Sequence, residues 1–332
     1  MLKEVKISTS TEFQSPSSRP RLKNRAWSES LGLIGIYLAL VVVLSLKSPY
    51  FLGVNNLLNI LVTVTPIGII AIAMTMVIVA GGLDLSVGSV VALTGVMVAQ
   101  LSHRLPMEAA IAFALLCGLL VGLFNGFAIT RVGINPLITT LGTLSIARGL
   151  AFVFSSGLTQ TIDNEAFAFL GQGRVAGIPF QVVVMAVLAL LAAWVMRSTV
   201  FGRSIYALGG NAQASRLAGL PVLRLQTTVY VLCALSAALA GLISASQLGA
   251  GAPASAAGIE LSVIAAVILG GTSLSGGKGT IAGTLLGVLI LGTLNNGLTL
   301  LNVSSYYQEI ARGAVLLMAV ALDQIRVRFG QK

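Results

Sequence analysis

The sequence predicts an all-α integral membrane protein, a polytopic helical bundle of about 10 transmembrane helices with N- and C-termini in the cytoplasm. Three observations predict it. The 332 residues are 56% hydrophobic and only 9% charged, with a mean hydropathy of +0.96, whereas a soluble domain carries about 25% charged residues. Apolar runs recur ten times along the chain, most of them near the roughly 20 residues that cross a bilayer as helix. Fifteen of the 20 Lys and Arg fall on alternate connecting segments, the bias that sets orientation.

In chain order, residues 1–27 form a basic tail rich in Ser and Pro, with Lys3, Lys6, Arg19, Arg21, Lys23 and Arg25 set against Glu4 and Glu12. Such a composition cannot bury a core and is expected to be disordered and cytoplasmic. No small-residue cleavage site follows the first apolar run, which is read as a retained span. The predicted spans are 28–46, 57–80, 86–102, 107–130, 134–154, 179–196, 225–247, 259–272, 280–300 and 305–322, giving a transmembrane domain over 28–324 and a short cytoplasmic tail over 325–332. Runs 86–102 and 259–272 are the least regular, because both abut Gly-rich breaks. The 37 glycines suit close helix approach in lipid, and Gly118, Gly122, Gly126 and Gly279, Gly283, Gly287 form two ridges at four-residue spacing.

With the N-terminus inside, the inner segments beyond the tail hold Arg131, Arg197, Arg203, Arg216, Arg224, Lys278, Arg326, Arg328 and Lys332, and the outer ones only Lys47, Arg104 and Arg174. The net charge of +10 is therefore read as membrane orientation, not as a nucleic-acid surface. Two connecting segments are long. Residues 155–178 lie outside and carry Asp163 and Glu165. Residues 197–224 lie inside, where Asn211 as N-cap and Gly219 before Pro221 as stop define a helix of about two turns ending near Arg216. That helix is either a docking element or an ordinary connector.

Few residues offer chemistry. Cys117 and Cys233 sit in apolar runs without disulfide or metal spacing, and His103 lies alone in a short loop. Asp84, flanked by Gly81, Gly82 and Gly88, either caps the helix that follows or has a gating or pairing role, with Arg148 and Arg312 as the natural partners inside the bundle. GGLDLSVG at 81–88 echoes GGTSLSGG at 270–277 in five of eight positions, from shared turn chemistry or from duplication. The candidate inner-face hinges are Gly81, Gly82, Asp84 and Gly88 in the first segment and Gly276, Gly277 and Lys278 in the second. Neutral polar residues within the spans, Asn125, Asn135, Thr139, Asn295, Asn296 and Gln308 foremost, are candidates for a path suited to an uncharged polar solute; helix–helix hydrogen bonds account for many of them equally well. GGKGT at 276–280 is not a phosphate loop, because Thr272 and Gly279 stand where that motif needs Gly and Ser or Thr. Ser275 and Lys278 match a penicillin-binding spacing without its companion elements. The chain thus has no nucleotide site and no catalytic constellation, and any energy source lies in another polypeptide.

GGLDLSVG at 81–88, YALGGN at 206–211, IAAVILGGTSLSGGKG at 264–279, LNNG at 294–297 and VSSYYQ at 303–308 resemble the integral-membrane permease subunits of bacterial ABC sugar importers, the ribose-type branch. The likeness covers roughly residues 50–323. It implies a non-enzymatic, cofactor-free transport subunit in the bacterial inner membrane. The implied partners are an ABC ATPase subunit, a periplasmic or lipid-anchored sugar-binding protein and a second permease, identical or a paralogue. It also implies that Gly209, Gly210, Asn211, Ala214, Arg216 and Gly219 belong to the loop that couples to the ATPase. Ribose permeases tend to carry an acidic residue after the loop Asn; here it is Ala212, which removes any acidic contact at that point. Two other readings stay open. A branched-chain amino acid permease of related fold would want charged groups along its path, and a secondary transporter would want acidic residues at mid-membrane, where only Asp84, Glu260 and Glu309 come near.

Overall fold

The computed structural model describes residues 21–330, with side chains for 31–321 and 323–325. Thirteen α-helices are present among them: α1 Arg21–Lys47, α2 Val54–Val79, α3 Val87–Ser102, α4 Met107–Phe127, α5 Pro136–Ser155, α6 Glu165–Gln172, α7 Phe180–Ser198, α8 Val200–Gly210, α9 Ala212–Leu217, α10 Val222–Leu248, α11 Ile259–Leu269, α12 Ile281–Leu300 and α13 Ser305–Gly330. A π-helical turn over Ala128–Val132 ends α4 before Gly133, which has φ +82°. Every predicted span falls on a helix. Six helical segments are long and apolar enough to cross a membrane, namely Val54–Val79, Met107–Val132, Pro136–Ser155, Phe180–Ser198, Val222–Leu248 and Ile281–Leu300.

The bundle is built around α2 and α10, whose buried faces include Ile69, Ile70, Met74 and Ile78 on one and Tyr230, Cys233, Leu242 and Ile243 on the other. α3, α4, α7, α11 and α12 surround this pair. Large apolar side chains face outward, among them Val153, Leu190 and Leu317, each 73% exposed. A surface of that kind is stable only against lipid or another apolar partner. The two glycine ridges pack closely, as their spacing predicts. Gly118, Gly122 and Gly126 seat α4 on Ala234, Ala238, Val231 and Thr227 of α10, while Gly283 and Gly287 seat α12 on Gly270 and Ala266 of α11. Gly279 leaves the second ridge, because it precedes α12 and packs on Thr272 instead.

Four expectations change. Helix α1 starts at Arg21 and α13 runs to Gly330, so helix enters both segments read as tails. Extending an existing helix is far easier than nucleating one, and neither segment contains a breaker at those positions. The rest of the N-terminal tail, 1–20, and residues 331–332 lie outside the described residues. The segment 197–224 holds two helices, not one. Its first, α8, is capped by Thr199, whose hydroxyl accepts from the Gly202 amide at 3.2 Å. The outer loop 155–178 contains α6, N-capped by Asn164 and docked on α10 where the Ser246 hydroxyl donates to the Phe167 carbonyl at 2.6 Å and accepts from the Gly171 amide at 2.8 Å. Finally, α11 spans only 11 residues, about 16 Å of helix, against a hydrocarbon core of about 30 Å.

The echo between 81–88 and 270–277 resolves into turn chemistry. Gly82 donates to the Val77 carbonyl and Gly81 to that of Ile78; Thr272 donates to Val267 and Gly271 to Ile268. Both are Schellman closures with a glycine at positive φ, Gly81 at +86° and Gly271 at +90°. The matching geometry pairs Gly81 with Gly271, one residue out of register with the sequence echo. The likeness therefore lies in how two helices end.

Candidate functional site

At one end of the bundle the second Gly-rich hinge, the end of α2 that leads into the first, and the end of α8 form a single contact. Gly277 donates its amide to the Val79 carbonyl at 2.8 Å. Gly209, near the end of α8, lies against both groups, so closely that a Cβ there would overlap the Val79 carbonyl and the Gly277 nitrogen. Gly276 closes the other side of this contact. Its amide donates to the Ser273 carbonyl at 3.1 Å, its φ is +79°, and a Cβ on it would stand 2.8 Å from the Gly209 carbonyl oxygen. Gly276 and Gly277 are thus a fixed turn braced on α8, and the second hinge is a packed joint, not a free pivot in water. Tyr206, one turn before Gly209, donates its hydroxyl to the Gly279 carbonyl at 2.8 Å; burial pushes this phenol above its ordinary range, so it remains a donor. From sequence the 81–88 hinge, the 276–278 hinge and the loop at 209–219 lie on the same side as separate features. The structure joins the loop backbone to backbone with the second hinge and with Val79, the last residue of α2, two residues before the first hinge.

Beyond Gly209 the loop turns outward. Asn211 caps α9 by accepting from the Ala214 amide at 2.9 Å, and Gly219, at φ +81°, ends it. Gly210, Asn211, Ala214 and Arg216 are exposed, and Leu217 is 84% exposed. This short helix is a projecting knob whose root, through Gly209, reaches the second hinge and the end of α2. Lys278 is exposed beside it.

The Asp84 side of the first hinge is a buried polar network in which one carboxylate oxygen is engaged and the other, Oδ2, has no partner among the described residues. The Asp84 Oδ1 accepts from the Ser86 amide at 2.9 Å and from its hydroxyl. Asn125 donates to the Ser86 oxygen at 3.1 Å, and Thr143 donates to the Asn125 oxygen at 2.6 Å. All four residues are buried, so the chain bolts α3, α4 and α5 together. Asp84 does not cap α3, whose N-cap residue Ser86 has no side-chain cap bond; it closes a turn on Ser86, just ahead of the helix. Pairing with Arg148 or Arg312 is absent, because Arg148 bonds the Pro253 and Ser255 carbonyls, each at 2.7 Å, and Arg312 pairs with Glu309 at 3.0 Å.

The other polar residues singled out in the spans are dispersed. Asn135 caps α5, accepting from the Leu137 amide, and Thr139 donates back to the Asn135 carbonyl. Asn296 and Asn56 exchange amide bonds at 2.9 and 3.1 Å, joining α12 to α2. Gln308 donates to the Val303 carbonyl and the Thr299 hydroxyl. Asn295 lines a small cavity with Thr63, Ser262 and Arg312.

Residues 250–258, expected outside, dip into the bundle, which sequence reasoning missed. Gly251 packs on the Gly95 carbonyl of α3, and the Ala256 carbonyl lies beside Gly88 at the start of that helix. Gly88 therefore leaves the first hinge and belongs to the interior. Helix α3 itself starts deep, since the Tyr230 hydroxyl reaches the Leu83 carbonyl at 3.5 Å and Gly241 packs on Val91. Val87 thus stands near mid-height of α10. Two helices, α3 and α11, begin inside the bundle with non-helical chain ahead of them, an arrangement tolerated only where protein shields that chain or where it lines a cavity. AGAPASAAG at 250–258 carried a signal: an exposed loop with no charge and no strong polar group is unusual.

A helical bundle with helices long and apolar enough to cross a membrane, two of its other helices starting inside the bundle behind non-helical chain, has the architecture of an integral membrane protein of the kind transporters share. The chain belongs to the family described as branched-chain amino acid transport system / permease component, whose model matches residues 56–320. It is 43% identical to the ribose import permease protein RbsC of Escherichia coli strain K12, over 91% of this chain and 96% of that protein. It is 43% identical to the L-arabinose ABC transporter permease protein AraH of Azospirillum brasilense, over 89% and 87%, and 44% identical to the ribose import permease protein RbsC of Bacillus subtilis strain 168, over 88% and 91%. No solved structure is significantly similar to it.

Proposed function

We propose that this chain is the membrane-spanning subunit of an ATP-driven importer that carries a monosaccharide, a ribose-like pentose or a related sugar, across the bacterial inner membrane. The observation that carries the mechanism is the knob at α9, rooted through Gly209 on the second hinge and on the end of α2. The sugar class rests on the relatives named for ribose and arabinose. The neutral amides and hydroxyls of the spans agree with it and would serve a zwitterionic amino acid poorly. A secondary transporter is disfavoured by the relatives, which are named as a ribose import permease and an arabinose ABC transporter permease.

The end bearing α9 faces the cytoplasm, as the Lys and Arg distribution requires. All ten long or apolar helices cross the bilayer, with α3 and α11 completed by the non-helical segments 80–86 and 250–258; both termini are then cytoplasmic. The transmembrane domain covers 28–324, with the coupling region at 197–224, the longest external segment at 155–178 and cytoplasmic tails on either side. A separate ATPase seats α9, a soluble sugar-binding protein docks on the outer loops, and a second permease, identical or a paralogue, completes the pathway. Sugar passes along the interface between the two permeases. Asn125, Asn135, Thr139, Asn295, Asn296 and Gln308 remain its polar candidates, and Asn295, beside a cavity, is the best placed.

ATP binding moves the knob. Because Gly209 abuts Val79, Gly276 and Gly277, that motion reaches the ends of α2 and α11 directly and shifts the balance between outward-open and inward-open states. Arg216→Glu and Leu217→Glu alter only exposed parts of the knob. Both are expected to abolish co-purification of the ATPase and ATP-driven pentose uptake in vesicles, with the permease still inserted and monodisperse. Retention of both activities in these variants would remove α9 from the coupling role.

A further inference from the structure

At mid-depth the chain carries a second device, remote from the knob. Residues 250–258 run along α3 as non-helical chain, buried at Gly251 and Pro253 and exposed at Ala254 and Ala257, so most of their carbonyls lie outside any helical ladder. Two of those carbonyls, Pro253 and Ser255, accept from a single nitrogen of Arg148, each at 2.7 Å. Arg148 lies in the fourth turn of α5 and is the one charged residue of that helix. An arginine there is expensive in lipid and calls for a purpose. It is only half-buried, and its remaining N–H groups make no hydrogen bond with the described residues. Around it Ser145, Gly149, Ala254 and Ala257 are exposed, forming a small-residue surface with free donors at one point. From the other side, Gly88 holds the segment without a side chain. A Cβ there would sit 2.7 Å from the Ala256 carbonyl and would also meet the Glu260 carboxylate. The buried Glu260 Oε2 and the hydroxyl of Ser89 have no partner among the described residues, and both lie in the first turns of the two broken helices.

We propose that Arg148 is the latch of a mid-membrane gate, clamping the re-entrant segment 250–258 across the sugar path and offering its free N–H groups to sugar hydroxyls when the segment swings away. The inference rests on the reading of the chain as a sugar-conducting permease. Two hydrogen bonds from a charged donor hold the segment closed. An arriving polyol competes for the same guanidinium, and the carbonyls it frees are acceptors for the solute's hydroxyls. The gate therefore favours a hydroxylated neutral solute over an apolar one. Arg148 acts here as a positioning residue; it moves no charge and catalyses nothing.

The test uses the assembled transporter, permease with its ATPase in liposomes, with the binding protein added. Wild-type complex should take up D-ribose or L-arabinose with ATP and hold a preloaded pentose without it. Failure of the first overturns the functional reading, independently of the gate. Arg148→Met is then compared with Arg148→Lys for ATP-independent efflux of preloaded D-ribose and sucrose, alongside ATPase retention and melting temperature. Because hydrogen bonds to a charged group are worth more than neutral ones, Arg148→Met should raise pentose efflux by about tenfold or more, with sucrose retained and the complex intact. Arg148→Lys, which keeps N–H donors, should restore most of the seal. An intact Arg148→Met complex as tight as wild type overturns the gate, as does a leak unaffected by Lys. If Arg148→Met cannot be recovered, Gly88→Ala decides: it pushes the same segment from the opposite side, and a tight, folded Gly88→Ala complex overturns the proposal while a pentose-selective leak supports it.

Discussion

Gly209 and Gly210 are adjacent in sequence and opposite in demand. A methyl group on Gly209 has nowhere to go except into backbone of the second hinge and of the end of α2, whereas Gly210 faces open space. Backbone cannot yield as a side-chain tip can, so Gly209→Ala must separate the loop from Val79 and Gly277. It is expected to cut ATP-driven uptake by at least about tenfold, the effect of about 1.4 kcal/mol on a rate, while Gly210→Ala stays within about twofold of wild type. Uptake assays on the two variants, matched for expression, read this directly. Asn125 makes a second residue-scale test. Its amide links Thr143 to Ser86 in a buried chain, so Asn125→Ala strands both. Removing one partner from a buried hydrogen bond costs about 1–3 kcal/mol, and the detergent-solubilised variant should melt several degrees below wild type. Neither residue could be paired from sequence: a Gly in a loop or an Asn in a span looks the same whether or not its neighbour is distant along the chain.

Among the elements, the long helices were legible because hydropathy and span length impose one pattern on any chain in lipid. The glycine ridges were legible for a similar reason, since four-residue spacing puts small residues on one helix face. Gly122→Leu tests that ridge: the side chain would enter the backbone of Val231 and Tyr230, and loss of monodisperse protein is expected, against little effect from Leu at Gly142, which meets nothing. The half-length of α11 was hidden. Hydropathy reports how apolar a segment is and not how deep it lies, so 250–258 reads alike as a loop or as re-entrant chain. What settles its depth is a set of contacts with Gly88, Gly95 and Arg148, all far away in sequence. Helix α8 was missed because its Gly and polar residues resemble a loop; tertiary contact with Gly276, Gly277 and Val79 supplies what propensity lacks. An Ala254→Cys variant, with Cys117 and Cys233 replaced by Ser, should react more slowly with an impermeant thiol reagent than a Cys at exposed Arg174, since depth limits access.

For the whole molecule the central claim is that the chain conducts but does not power. Nothing among its motifs binds nucleotide, and the relatives it matches are named as permease proteins. Among the described residues, the α9 knob joins an exposed surface to the second hinge and to the end of α2. The direct measurement is solute accumulation in sealed liposomes containing this chain with and without the ATPase and binding protein. With all components and ATP, a pentose should accumulate against its gradient. With the chain alone, no accumulation should occur under an imposed proton or sodium gradient. Accumulation by the chain alone would contradict the account at its foundation.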